Sequence, residues 1–270
     1  MSRTTDRITA DRIRLSVVGI GPGDYDMMTG RAIWALSESD TIVGYQVYTA
    51  LIQDYFQGKE YLTTPMRQET ERCRLAINEA LEGKKVAIIS SGDAGIYGMA
   101  GLMYEVLEEM KRESVQPTAV PDRLDKLKSI VIEVIAGVTA ANGGAAYLGA
   151  PLMHDFAVIS LSDLMTPWTM IEKRLLACAG ADMGIVLYNP SSHKRHDYLQ
   201  KACDLLLQTL PATRVCGLVE NIDREGTNTK VCTLGELREI PVNMFTTVYI
   251  GNSNTKIIGD KMVTPRGYQI

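Results

Sequence analysis

Three apolar runs, "RLSVVGI" (14–20), "KKVAIISSGD" (84–93) and "SIVIEVIAG" (129–137), each end in a glycine turn. Runs this continuous leave no face for water, so they suit strands covered on both sides, as in a parallel sheet. Amphipathic stretches separate them. "GRAIWALSES" reads as a helix closing before a strand at "DTIVG". "RQETERCRLAINEALEG" puts Cys73, Ala76, Ile77, Ala80 and Leu81 on one stripe and stops at Gly83, a favoured helix-ending residue. A further helix is predicted over "IYGMAGLMYEVLEEMKR" and a surface loop over "ESVQPTAVPDRLDKLK", which two prolines interrupt. Strand–helix alternation of this kind means an α/β fold.

Beyond residue 150 the rhythm changes. "FAVISL", "MGIVLYN", "TRVCGLV", "TKVCTL" and "FTTVYIG" read as strands, with helices at roughly 167–178 and 195–209 and short, hairpin-like joins near the end. The expected organisation is a disordered polar arm (1–12), an N-terminal α/β domain with a mostly parallel sheet (13–136) and a C-terminal α/β domain with a mixed sheet (137–270). A ligand of such sheets sits beyond the carboxyl ends of the strands, here expected in the cleft between the domains.

Charge and cysteine usage remove several classes. The net charge of −4 favours neither nucleic acid nor an anionic membrane, and no run of 18 apolar residues exists to span a bilayer. "MSRTTDRITADR" has no apolar core of a signal peptide. Five scattered cysteines without a CxxC suit reduced thiols in a cytoplasm and supply no local metal motif. His193 and His196 have ligand-like spacing but lack a third partner, so no protein-held metal is expected.

The turns themselves carry the chemistry. Gly19-Ile20-Gly21-Pro22-Gly23-Asp24 resembles a dinucleotide loop, yet a carboxylate stands where the third glycine belongs. Asp24 would compete for the anion-attracting helix start, and Pro22 removes one N–H donor. The second turn, Ser90 to Tyr97, again pairs glycine with aspartate. In the third, Ala136 to Gly144, Thr139 could cap a helix of small residues that lets a flat ligand or another backbone come close. No turn has a phosphate grip. The three describe a pocket for a ligand with polar edges, no phosphate and room for a cation: S-adenosylmethionine has that chemistry.

"GIGPGD", "SSGDAGIYG", "AGVTAANGGAAYLGAPL", "LYNP" and "VYIGNSNTKI…TPRGY" together resemble the tetrapyrrole (class III) S-adenosylmethionine-dependent methyltransferases of corrin biosynthesis, in order over about 14–270. "GAPLMHDFAVISLSDLMTPW" (149–168) is similar to their C17-methyltransferases, which act on precorrin-3B or its cobalt-bearing counterpart and promote ring contraction. "GYQVYT", "SSGDAGIYGMAGL" and "TPRGYQI" lie closer to the cobalt-first branch. The resemblance implies a homodimer using S-adenosylmethionine, with cobalt present only as part of a tetrapyrrole substrate. It assigns cofactor contacts to Pro22, Ser91, Gly92, Asp93, Ile96, Thr139, Ala140, Tyr188 and Asn189. Ala94 replaces a proline frequent in the family, and Asn189 replaces a frequent methionine.

Contraction requires proton movement, for which His154, Asp155, Ser162 and Asp163, with Ser160 nearby, are candidates; His154 could instead approach cobalt through its imidazole. The substrate's carboxylates point to Arg67, Lys194 and Arg195, with Arg266 behind them, and Tyr97 could stack on the ring or cofactor. Each of these residues also has an ordinary structural reading, as a solvated charge, a hydrogen-bonded histidine or a packed ring. Competing functions are a corrin-pathway methyltransferase of other carbon specificity, a non-catalytic tetrapyrrole carrier, and, against Asp24, a dinucleotide oxidoreductase.

Overall fold

The computed structural model describes residues 12–115, 122–192 and 196–269. The polar arm lies almost entirely outside these residues, as do His193, Lys194 and Arg195. The chain divides into two compact units, one ending at Thr139 and the other beginning at Ala140.

The first unit runs β1 (Ile13–Gly19), α1 (Gly30–Glu38), β2 (Thr41–Tyr45), α2 (Gln46–Ala50), β3 (Glu60–Thr64), α3 (Glu69–Leu81), β4 (Val86–Ser90), α4 (Ala100–Glu113), α5 (Arg123–Ser129) and β5 (Ile130–Ile135). Its five strands are all parallel, in the order β3-β2-β4-β1-β5. The alternating sides of β1 explain its unbroken apolarity. Leu15 and Val17 join Val43 and Ile88 beneath α3, α4 and Leu127 of α5, while Val18 joins Ile42, Ala87 and Ile89 against α1 and Ile52. Each fully buried Val, Leu or Ile contributes roughly 1.5–3 kcal/mol.

The second unit contains α6 (Ala140–Leu148), β6 (Gly149–Ala150), β7 (Phe156–Ser160), α7 (Trp168–Gly180), β8 (Gly184–Tyr188), α8 (Tyr198–Leu206), β9 (Val215–Glu220), β10 (Asn228–Thr233), α9 (Leu234–Leu237), β11 (Thr246–Ile250), β12 (Lys256–Ile258) and β13 (Lys261–Val263). Its main sheet, β10-β9-β11-β8-β7, is mixed: only β7 and β8 pair in parallel. One face packs on α7, α8 and α9, and the other on α6. A small sheet, β12-β13-β6, completes the unit.

Several expectations need correction. The stretch read as a surface loop holds the last residue of α4, Glu113, and all of α5 but Ser129. Of α5 only Leu127 is buried, so its apolar signal was too thin to register as a helix. Conversely, the helix expected from Ile96 begins at Ala100, because the turn before it is closed by hydrogen bonds from Met99 N–H to Ser90 Oγ and Ala100 N–H to Ala94 O. Strand β3, at the sheet edge and half exposed, and the five-residue α2 carried no apolar periodicity. The expected strand at "TKVCTL" ends at Thr233, where a capping box with Glu236 starts α9.

Candidate active site

Sheet order explains why three distant motifs meet. β4, β1 and β5 are neighbours, so the turns after them leave the sheet side by side. They touch backbone to backbone. Gly21 and Gly92 exchange two hydrogen bonds, at 3.0 and 2.7 Å. A Cβ on Gly19 would lie 2.7 Å from both Gly137 N and Gly92 O, closer than real Cβ contacts come. Asp93 clasps the arrangement: Oδ1 accepts from Gly95 N–H (2.8 Å) and Oδ2 from Gly137 N–H (2.9 Å), forty-four residues away.

Asp24 caps its own turn. Its Oδ1 accepts from Tyr25 N–H and from the Tyr55 hydroxyl, both at 2.6 Å. The Tyr55 bond, then the Tyr25 bond, holds this carboxyl below its ordinary range. The donors a phosphate cradle would present are therefore engaged internally: Gly21 and Gly92 with each other, Gly95 and Gly137 with Asp93, Tyr25 with Asp24. A diphosphate needs such donors free. These turns fit a ligand that lacks one.

Around this cluster Pro22 and Gly92 are buried, Ser91 is half-buried, and Ile96 and Tyr97 are exposed. At 60% exposure Tyr97 packs in no core, which removes that reading of it. Tyr97 (φ +54°) and Arg67 (φ +69°) both hold left-handed backbone, an arrangement costing about 1–3 kcal/mol that recurs at functional sites. Arg67 N–H donates to Glu69 Oε1 (3.1 Å) and its side chain is exposed. Thr139 is half-buried at the end of the third turn.

In the second unit, α6 starts at Ala140, and the Tyr188 hydroxyl accepts from Ala141 N–H at 2.7 Å. Tyr249, which the sequence reading did not single out, donates its hydroxyl to the carbonyls of Ala140 (2.8 Å) or Ala141 (3.0 Å). Burial pushes this phenol well above its ordinary range. A Cβ on Gly144 would collide with that hydroxyl, which explains the glycine. Asn189 (φ +53°) follows β8 and donates Nδ2–H to Ser160 Oγ (2.9 Å), which also accepts from Ser162 N–H (3.2 Å). Asp163 Oδ2 accepts from the Tyr198 hydroxyl (2.6 Å), and that ring lies 4.7 Å from Trp168.

His154 and Asp155 are exposed on the link from β6 to β7. His154 Nε2 is 3.1 Å from Pro265 O. A carbonyl only accepts, so Nε2 carries the proton and a neutral ring offers Nδ1. Ser160, Ser162 and Asn189 thus come together, Asp163 is held separately by Tyr198, and His154 is anchored to the "TPRGY" segment. Among the described residues no three His, Cys, Asp or Glu side chains converge as around a metal ion, and no helix is long and apolar enough to cross a membrane.

Arg72 is the residue of the N-terminal rim that the sequence argument missed. It is 4% exposed on α3, beside the apolar stripe. A charged residue adjoining that stripe was the available signal.

Residues 14–238 match the family model for tetrapyrrole (corrin/porphyrin) methylases. The chain is 43% identical over 256 residues to a Salmonella typhimurium protein named probable cobalt-factor III C(17)-methyltransferase, covering 95% of this chain and all of that one. It is 42% identical over 258 residues to a cobalt-factor III methyltransferase of Priestia megaterium, covering 95% of this chain but 45% of that longer protein. Among solved structures, that of the methyltransferase CobJ superposes with a TM-score of 0.82 at 31% identity, covering 93% of this chain and 99% of the other.

Proposed function

Because the chain belongs to the tetrapyrrole (corrin/porphyrin) methylases, we propose that it methylates C17 of a cobalt-bearing corrinoid precursor with S-adenosylmethionine and promotes contraction of the ring. The observation that carries the choice of methyl donor is the cluster of glycine turns whose N–H groups are engaged internally. The choice of substrate is supported by the names of two relatives matched over 95% of this chain, the Salmonella one along its whole length.

The residues assigned to the cofactor are Pro22, Ser91, Gly92, Asp93, Ile96, Thr139, Ala140, Tyr188 and Asn189. Bound there, the sulfonium supplies an electrophilic methyl group. The protein's part is positioning, which in well-oriented systems removes roughly 7–11 kcal/mol of barrier. Asp93 acts here chiefly by holding the turns together, since both its oxygens already accept backbone N–H bonds. Arg67 and Tyr97 face the substrate's carboxylates and ring; Lys194 and Arg195 belong to the same assignment.

For contraction, His154 is the proton carrier best placed by its surroundings. The bond to Pro265 O leaves Nδ1 to take a proton, or to approach the substrate's cobalt. Asp155, Ser162 and Asp163 are the accompanying acid–base candidates, with Asp163 oriented by Tyr198. The working form is a homodimer in the cytoplasm, as the family likeness implies.

Dialysis against labelled S-adenosylmethionine and labelled NAD tests the cofactor: the protein retains the first and not the second. Formation of S-adenosylhomocysteine must then depend on added cobalt tetrapyrrole. Retention of NAD, or no turnover with any tetrapyrrole, contradicts the proposal.

A further inference from the structure

Arg72 is a buried cation that no anion among the described residues accompanies. Its Nη2 donates to the carbonyls of Thr64 (3.3 Å) and Pro65 (3.0 Å), its Nη1 lies 3.9 Å from Met99 Sδ, and its Cζ is 5.9 Å from the centroid of the Tyr45 ring. Among the described residues buried Nε has no partner and no carboxylate pairs with the guanidinium. Buried arginines usually meet a carboxylate, and this side chain cannot shed its charge.

What Arg72 does touch is the carboxyl rim of the sheet: Tyr45 ends β2, Thr64 ends β3, and Met99 closes the turn after β4. Its Nη2 donates to both carbonyls at the root of the loop that presents Met66 and Arg67, while Nη1 reaches Met99 Sδ. The same loop is tied by Thr64 Oγ1 to Gln68 O (3.5 Å) and by Arg67 N–H to Glu69. A loop so fastened is preorganised, which lowers the cost of binding through it.

We propose that Arg72 is a positioning residue for substrate recognition: its guanidinium fixes the loop between β3 and α3 so that Arg67 meets a carboxylate of the tetrapyrrole. This rests on the reading of the chain as a tetrapyrrole methyltransferase with Arg67 toward the substrate. Arg72 works through Arg67, so the two substitutions should not add.

The test measures KM for the cobalt tetrapyrrole and Kd for S-adenosylhomocysteine in Arg67→Ala, Arg72→Met, Arg72→Lys and the Arg67→Ala/Arg72→Met double variant. Each single variant raises KM about tenfold and leaves the Kd within twofold. The double variant is no worse than Arg72→Met, and lysine, lacking the second nitrogen that reaches Met99 and the planar group beside the Tyr45 ring, fails to rescue. Additive KM effects, full rescue by lysine, or a change confined to Kd overturns the proposal. A measurement on the unaltered protein stands beside these. Hydrogen exchange over 64–71 slows when the tetrapyrrole is added, and unchanged exchange there overturns the proposal even if no variant folds. Absence of turnover with every tetrapyrrole sinks the functional reading, whereas intact turnover with an unaltered KM in Arg67→Ala sinks only this inference.

Discussion

Replacing Gly137 by alanine tests whether the three turns work as one body. The new Cβ would stand 2.7 Å from the Gly19 carbonyl and closer still to Gly92 O, whereas ordinary contact begins near 3.4 Å. By that measure the turn after β5 must part from the turn after β1 by about 0.7 Å and from the turn after β4 by about 1.2 Å. Both obstructing groups are backbone and cannot swing aside. Overpacking of this sort costs about 1–3 kcal/mol, or roughly 2–4 °C of Tm per kcal/mol in a chain of this size. The Asp93–Gly137 bond stretches with it, misplacing the second turn. A displacement approaching 1 Å costs on the order of 100-fold in kcat/KM where catalysis depends on alignment. The assay pairs thermal unfolding with methyl-transfer kinetics and an S-adenosylhomocysteine titration. Gly101→Ala is the control: on the exposed side of α4 its Cβ meets nothing within 4 Å, and it should stabilise by about 0.5–1 kcal/mol. Gly137→Ala with undiminished cofactor affinity and kcat/KM would refute the reasoning.

Asp93→Asn removes the charge from two backbone bonds and turns an amide donor toward one N–H group, at a cost of about 2 kcal/mol; Tm and cofactor affinity fall together, whereas loss of affinity at unchanged Tm would mean that Asp93 touches the cofactor instead of clasping the turns. Burial is the largest single influence on Glu133 and pushes it up, but the hydrogen bonds and charges of Arg31 and Arg14 together outweigh it, leaving its pKa below the ordinary 4.5. Its stabilising effect is thus present above that value and lost as pH falls through the lower folded value; acid titration of stability in Glu133→Gln should show a shallower decline below about pH 4.5, and an unchanged decline contradicts this. Burial pushes the thiols of Cys73 and Cys203 up to about 12 and that of Cys232 to about 11, while Cys178 is only half-buried. A thiol reagent at pH 8 should reach at most Cys178 in the native protein and all five after unfolding; rapid reaction of two or more native thiols contradicts it.

The parts of this molecule written as local pattern were legible in its residues. β1 and β4 announce themselves because both faces of each are covered, and α3 because its stripe is regular; β5 is as apolar in sequence, yet it lies at the sheet edge with Val134 exposed, so its run overstated its burial. Asp24 in place of a third glycine argued against phosphate, and in the structure its carboxylate occupies the turn's own N–H donor. What sequence could not display is adjacency. Asp93 and Gly137 meet only because the sheet order sets β4, β1 and β5 side by side. Arg72 went unnoticed because its carbonyl partners lie on another strand's loop. Short or polar elements such as α5 and β3 bury too little to leave a periodic signal. In the second unit the Ser160–Asn189 bond joins residues that the sequence assigned to different tasks, acid–base chemistry and cofactor binding.

The most direct test of the account is the fate of the methyl group itself. The protein is given S-adenosylmethionine carrying a ¹³C methyl, together with the cobalt-bearing and the metal-free precursor in separate anaerobic reactions, and products are read by mass and carbon NMR. The account predicts one labelled methyl on C17 of the cobalt-bearing substrate, released with an equal amount of S-adenosylhomocysteine. A label on another carbon, or transfer only to the metal-free precursor, would contradict it.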